Sequence, residues 1–126
     1  PGWERRLHCV NVHLGLLGHW RKKQLDILRH RIELLVPRED PLLIAGDFND
    51  WRRQATRPLT QALGMTEVFE HAHGHPARSY PAMLPLFRLD RIYMRGFRVR
   101  IAHAHRDPHW SRISDHVALS ALLERP

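Results

Sequence analysis

Four polar clusters stand at the ends of apolar segments: Asn11-Val12-His13-Leu14, Gly46-Asp47-Phe48-Asn49-Asp50, Arg88-Leu89-Asp90-Arg91-Ile92-Tyr93 and Ser114-Asp115-His116. The second is the densest. Leu42-Leu43-Ile44-Ala45 runs straight into Gly46, and two carboxylates and an amide then follow within four positions. Such groups are costly to desolvate unless something binds them. A metal ion, a phosphate or an activated water would serve. The residue types suit phosphoester hydrolysis. Carboxylate oxygens hold a hard divalent cation. Imidazolium and amide donors answer the charge that gathers on phosphoryl oxygens. A carboxylate or imidazole can take the proton of an attacking water. A histidine beside a carboxylate is a better cation at neutral pH.

The candidates are therefore His13, Asp47, Asn49, Asp90, Asp115 and His116. Each alone has a plainer account. Asp47, Asn49 and Asp115 could be turn residues, His13 a strand-end histidine, and Asp90 a surface partner of Arg88 or Arg91. Together, at successive strand ends, they argue for one pocket.

The elements that must position them follow from periodicity. Residues 5–14 alternate partly and read as a strand. Gly15 and Gly18 bracket a turn. Leu25, Leu28, Ile32 and Leu35 form one stripe of a helix over 19–36, stopped by Pro37. Residues 41–45 are apolar on both faces, as in a covered central strand. A loop at 47–50 precedes a short helix at 57–63 that Gly64 closes. Residues 66–69 suggest a short strand, and 71–85, rich in Gly, Pro and His, a loop. Strands are expected at 89–94 and 98–103, joined by a turn at Arg95-Gly96, then a loop at 106–114 and a buried strand at 117–123. The order β-α-β-α-β-β-β predicts an α/β fold: a mixed sheet with helices on one face. In such sheets ligands collect at strand ends.

The chain has 126 residues, enough for one domain with a core. Its 20 Lys plus Arg against 13 Asp plus Glu give a formal charge of +7, which favours anionic partners such as nucleic acid, lipid headgroups or phosphoesters. No apolar run approaches a membrane span. The single cysteine, Cys9, excludes an internal disulfide and reads as a buried thiol. The chain opens Pro1-Gly2-Trp3-Glu4, without methionine or signal-peptide pattern, so its start carries no targeting information.

NVHL, GDFND, RLDRIY and SDH, in this order, resemble the endonuclease/exonuclease/phosphatase superfamily. Its members include type I deoxyribonucleases, abasic-site endonucleases, inositol polyphosphate 5-phosphatases and neutral sphingomyelinases. The resemblance implies a deoxyribonuclease I-like fold and Mg²⁺- or Mn²⁺-dependent hydrolysis of a phosphoester, nucleic acid or a phospholipid or inositol phosphate. Asp47 would activate the water, Asn49 would hold the water and a phosphate oxygen, and His116, with Asp90 as its carboxylate partner, would contact the phosphate. His13 matches a phosphate-contacting position. Asp115 would lie near the metal or leaving group, with Asp47 beside the metal. Tyr80-Pro81 matches an aromatic-proline element read as structural. Family domains are about twice this long, two similar halves in a four-layer α/β sandwich. The resemblance covers residues 1–126 as the C-terminal half only. The other half normally brings a strand-end asparagine and the glutamate that is the principal Mg²⁺ ligand, and neither is found here. The expectation is a fragment inactive alone, exposing an apolar sheet face that pairs with the N-terminal half or with a second copy.

Other patterns have their own readings. His71, His73 and His75 alternate as a metal site would, although Gly and Pro neighbours favour a mobile loop. His103 and His105 read as a solvent-facing strand end. Trp51 and Trp110 flank the motif loops and would either stack on a base or pack in the core. Arg21, Lys22 and Lys23 form a basic helix face, solvated or touching phosphates. A non-catalytic basic nucleic-acid-binding or interaction module is the competing function. It explains the charge but not the strand-end carboxylates, which repel a polyanion unless a cation intervenes.

Overall fold

A computed structural model describes residues 4–126. Its elements are β1 (His8–His13), α1 (Gly18–Leu35), β2 (Leu42–Asp47), α2 (Pro58–Ala62, a loosely wound turn of π type), β3 (Thr66–Glu67), α3 (Val68–His73), β4 (Asp90–Arg95), β5 (Arg98–His105), α4 (Pro108–Ser111) and β6 (Ala118–Glu124). A four-stranded mixed sheet runs in the order β1-β2-β4-β3, and β5 and β6 form a separate antiparallel pair. β1 lies parallel to β2, and β2 and β3 are antiparallel to β4. The mixed α/β class matches the sequence, with two differences, the first being that helices lie on both sides of the sheet, α1 on one and α3 on the other. Second, the strands joined through Arg95-Gly96 are not sheet neighbours, because β4 is already paired on both edges, by β2 and β3.

Alternation decides which side of the sheet each residue joins. Val10 and Val12 of β1, Leu42 and Ile44 of β2 and Tyr93 of β4 pack with Leu25 and Ile32 of α1 and with Leu59, Leu63 and Phe48. The opposite side carries Leu43, Ile92 and Met94, packed with Val68 and Phe69 of α3 and with Ala102, Leu119, Ala121 and Leu123 of the β5–β6 pair. α1 is the covering helix of the first side. The short α3 belongs to the second.

Several local expectations change. Residues 68–73 are helical where strand and loop were expected. Glu67 caps α3 by accepting from the Glu70 N–H at 2.7 Å, and Gly74 ends it at φ 84°. Cys9 is exposed rather than buried, because it shares the outward side of β1 with Asn11 and His13. Leu35 is 68% exposed, beyond the end of the core stripe. Arg21, expected on the basic face, is buried and donates to the carbonyls of Gly15 (3.3 Å) and Leu16. Trp51 and Trp110 are both exposed and neither is a core residue. No helix is long and apolar enough to cross a membrane among the described residues.

Candidate active site

Strand register builds the site. His13 ends β1 opposite Asp47 of β2, and Asp47 lies opposite Asp90 of β4, so three chemistry-bearing residues stand in a row across adjacent strands. The close approach of β1 and β2 here requires glycine. Gly46 has φ +143°, and a Cβ on it would lie 2.0 Å from the Val12 carbonyl oxygen. The chain then turns sharply: Asn49 has φ 47°, and its backbone N–H donates to Asp47 Oδ1 at 2.8 Å. Asparagine tolerates this left-handed conformation better than most residues.

His116 comes from the loop before β6 and closes the group. Its Nδ1 lies 2.6 Å from Asp90 Oδ2, and its Nε2 lies 3.8 Å from Asp47 Oδ2. His13 Nε2 approaches the same Asp47 oxygen at 3.6 Å. Asp47 therefore has one oxygen turned to the Asn49 backbone and the other facing two imidazoles. Partial burial alone would lower the His116 pKa. The hydrogen bond and charge of Asp90, with the charges of Asp47 and Asp115, outweigh it and hold the imidazole above its ordinary value of 6.5.

Of the six candidates, His13, Asp47, Asp90 and His116 converge. Asn49 is adjacent but 6% exposed, and its Nδ2 donates to the Leu14 carbonyl at 2.6 Å, which ties the loop to the end of β1. Asp115 is exposed. Its carbonyl accepts from the Ala82 N–H at 2.7 Å, and its charge reaches His116. The described group whose ligand atoms lie within 4.8 Å of one another is Asp47, Asp90 and His116, without Asp115. The two carboxylates fit a divalent cation by donor chemistry, and the imidazole does so only in its neutral form.

Ser79 and Tyr80 escaped the sequence reading as site residues. The buried Ser79 hydroxyl accepts from the Asp90 N–H at 3.0 Å and the Leu89 N–H at 3.3 Å, and its carbonyl accepts from the Val117 N–H at 2.7 Å. One residue thus joins the segments carrying Asp90 and His116. The Tyr80 ring lies 5.0 Å from the His116 ring. The Ser-Tyr-Pro text was the available signal, but nothing in it shows which strand its hydroxyl meets. The other histidines disperse. His73 Nε2 lies 2.9 Å from the Ala102 carbonyl oxygen, His75 Nδ1 lies 3.1 Å from that of Pro76, and His105 Nε2 lies 2.8 Å from Ser120 Oγ.

The family model described as the endonuclease/exonuclease/phosphatase family matches residues 2–116. YbhP of Escherichia coli K12 is 44% identical over 123 residues, covering 98% of this chain and 48% of YbhP, so the chain spans about half the length of that relative. Among solved structures, a mannosyl-6-phosphatase of Bacteroides thetaiotaomicron superposes with a TM-score of 0.70 at 18% identity, over 90% of this chain and 49% of that one. A humanized D. rerio TDP2 superposes with a TM-score of 0.72 at 21% identity, over 95% of this chain and 56% of that one. These two likenesses show a shared fold. With a family match across nearly its whole length and its strand-end motifs gathered at one rim, the chain belongs to the endonuclease/exonuclease/phosphatase family.

Proposed function

We propose that this chain is the C-terminal half of a divalent-metal-dependent phosphoesterase that hydrolyses a phosphoester with an activated water. The observation that carries the reading is the row His13–Asp47–Asp90 with His116 bridging its two carboxylates. Asp47 Oδ2 takes the proton of the water as its oxygen attacks phosphorus. The P–O bond to the leaving group then breaks. His116, favoured as the imidazolium by Asp90, and His13 donate to the phosphoryl oxygens. The carboxylates of Asp47 and Asp90 would hold Mg²⁺ or Mn²⁺, which would supply Lewis-acid stabilisation of the developing oxyanion. A phosphatase among the structural neighbours supports the chemistry without naming the substrate here.

The same reading makes this segment weak alone, since no glutamate belongs to its carboxylate-imidazole group. The test is hydrolysis of bis(p-nitrophenyl) phosphate with Mg²⁺ or with EDTA. It compares this chain with a chimera carrying the N-terminal half of YbhP. Activity is expected in the chimera, lost in EDTA and reduced about 10²–10⁴-fold by Asp47→Asn. Equal rates for the chain alone would refute incompleteness. An inactive chimera whose fold is intact would refute the phosphoesterase reading.

A further inference from the structure

The rim that carries the site also opens a second surface. α1 begins five residues after His13, and the loop holding Asn49 runs on past Trp51 toward α2. Between α1 and that loop lies a groove of about 410 Å³, floored by Leu25 and lined by Lys22, Arg52, Arg53, Arg57 and Gln54, with Asp26 as its carboxylate. Arg53 is tied to Glu70 at 2.7 Å. Lys22, Arg52 and Arg57 are exposed and form no ion pair among the described residues. Three cations without an ion-pair partner among the described residues, gathered in one concavity, raise a local positive potential that attracts an anion.

An aromatic group accompanies the charge. Trp51 is 57% exposed, carries the Arg52 guanidinium 5.9 Å from its ring centre and meets Phe87 edge-on at 5.8 Å. Water-exposed indole beside unpaired cations is the combination that binds a phosphate backbone and stacks an unpaired base. Asp26 is compatible with the same ligand, because bases carry N–H donors that a carboxylate can accept.

We propose that this groove is a track for single-stranded nucleic acid, with Lys22, Arg52 and Arg57 on phosphates and Trp51 stacked on a base. A bilayer surface fits less well, since the cations line a concavity rather than a protruding face. The track deepens the phosphoesterase reading by naming its substrate class, and it rests on that reading for turnover but not for binding. It also separates attraction from chemistry. The carboxylates of the site repel a polyanion, and the groove supplies the opposing pull beside them.

The test is fluorescence anisotropy of a labelled single-stranded oligothymidylate titrated with the chain in EDTA. Saturable, salt-sensitive binding is expected. The triple variant K22Q/R52Q/R57Q should bind about tenfold or more weakly, with its salt slope shallower by about 2, roughly 0.7 for each phosphate no longer neutralised. Trp51→Ala should bind about tenfold more weakly with the slope unchanged. Matching circular dichroism and melting curves would show that the variants fold. Absence of oligonucleotide binding overturns the proposal, as does a triple variant within twofold of the parent. So does binding of phosphatidylglycerol/phosphatidylcholine vesicles through the same residues without oligonucleotide binding, which assigns the groove to a membrane. Hydrolysis of bis(p-nitrophenyl) phosphate by the YbhP chimera reports on the site separately. Hydrolysis without oligonucleotide binding removes the track alone, and binding without hydrolysis removes the phosphoesterase reading alone.

Discussion

Asp90 has one strong side-chain partner, and that partner defines what Asp90 does. Its 2.6 Å contact with His116 Nδ1 favours the imidazolium, with Asp47 and Asp115 adding charge, against the opposing pull of partial burial. Asp90→Asn keeps a side chain of the same shape and removes the charge. The His116 pKa should then fall toward or below 6.5, its ordinary value. Imidazole NMR in metal-free buffer measures this, and an unchanged midpoint would rule out Asp90 as the cause. The sign for stability follows from linkage. A histidine whose folded pKa is raised contributes stability that is fully present below the unfolded pKa and lost as pH rises through the folded one. The parent should therefore lose stability relative to Asp90→Asn as pH rises above 6.5 through the His116 midpoint. Gly46 sets the second residue-scale expectation. A methyl group there would need the Val12 carbonyl to move and would hold alanine at φ +143°. Gly46→Ala should cost about 3 kcal/mol or more in denaturant melts, from strain and overpacking together. It should also displace Asp47, the next residue.

At the scale of elements, a buried cation fixes the loop after Asn49 to the sheet. Arg91 is 1% exposed, and its Nη2 donates to the carbonyls of Asp50 at 2.9 Å and Arg88 at 2.8 Å. Asp50 is itself fully buried and accepts from the Gln54 N–H at 2.7 Å and the Ala55 N–H at 2.5 Å. The loop after Asn49 is thus held at both ends of one network, and β4 enters beside it. Arg91→Met leaves two carbonyls without their donor and should cost about 2–4 kcal/mol in chemical denaturation, since hydrogen bonds from a charged group are the costly ones to lose. A loss below about 1 kcal/mol would show that water replaces the guanidinium at those carbonyls. The sequence could not reveal this role. Arg21 and Arg91 read as solvated charges, and their burial depends on carbonyls supplied by loops that only the fold brings near. The strands were legible because alternation and apolar runs are local signals. So was the convergence of Asp47, Asp90 and His116, because all three sit at or near strand ends. α3 was not legible, because six residues holding two large apolar side chains and one alanine show no stripe. Its marks were the Glu67 cap and Gly74. Cys9 was misread because apolar neighbours say nothing about which side of a strand a residue takes.

The whole molecule is covered unevenly. One side of the four-stranded sheet is closed by α1, while on the other side Cys9 and Asn11 of β1 are exposed and Leu43 and Ala45 of β2 only half-buried. The β5–β6 pair adds Ile101 and Leu122, register partners that are 58% and 57% exposed. A cross-strand pair of large aliphatic residues left in water is costly at about 25 cal/mol per Å² of apolar surface. Since the chain spans 48% of YbhP, we propose that these outward sides face the other half of the fold, or in its absence a second copy of this chain. Sedimentation velocity over a concentration series distinguishes the cases. The chain alone should shift from monomer to dimer, and co-expression with the YbhP N-terminal half should give a heterodimer. Ile101→Ser with Leu122→Ser should weaken both without altering the melt of the monomer, because neither side chain belongs to the two apolar clusters. A chain that stays monomeric at high concentration and ignores the YbhP half would mean that the exposed pair faces solvent in the native assembly. The row His13–Asp47–Asp90 would then have to be completed from a different direction.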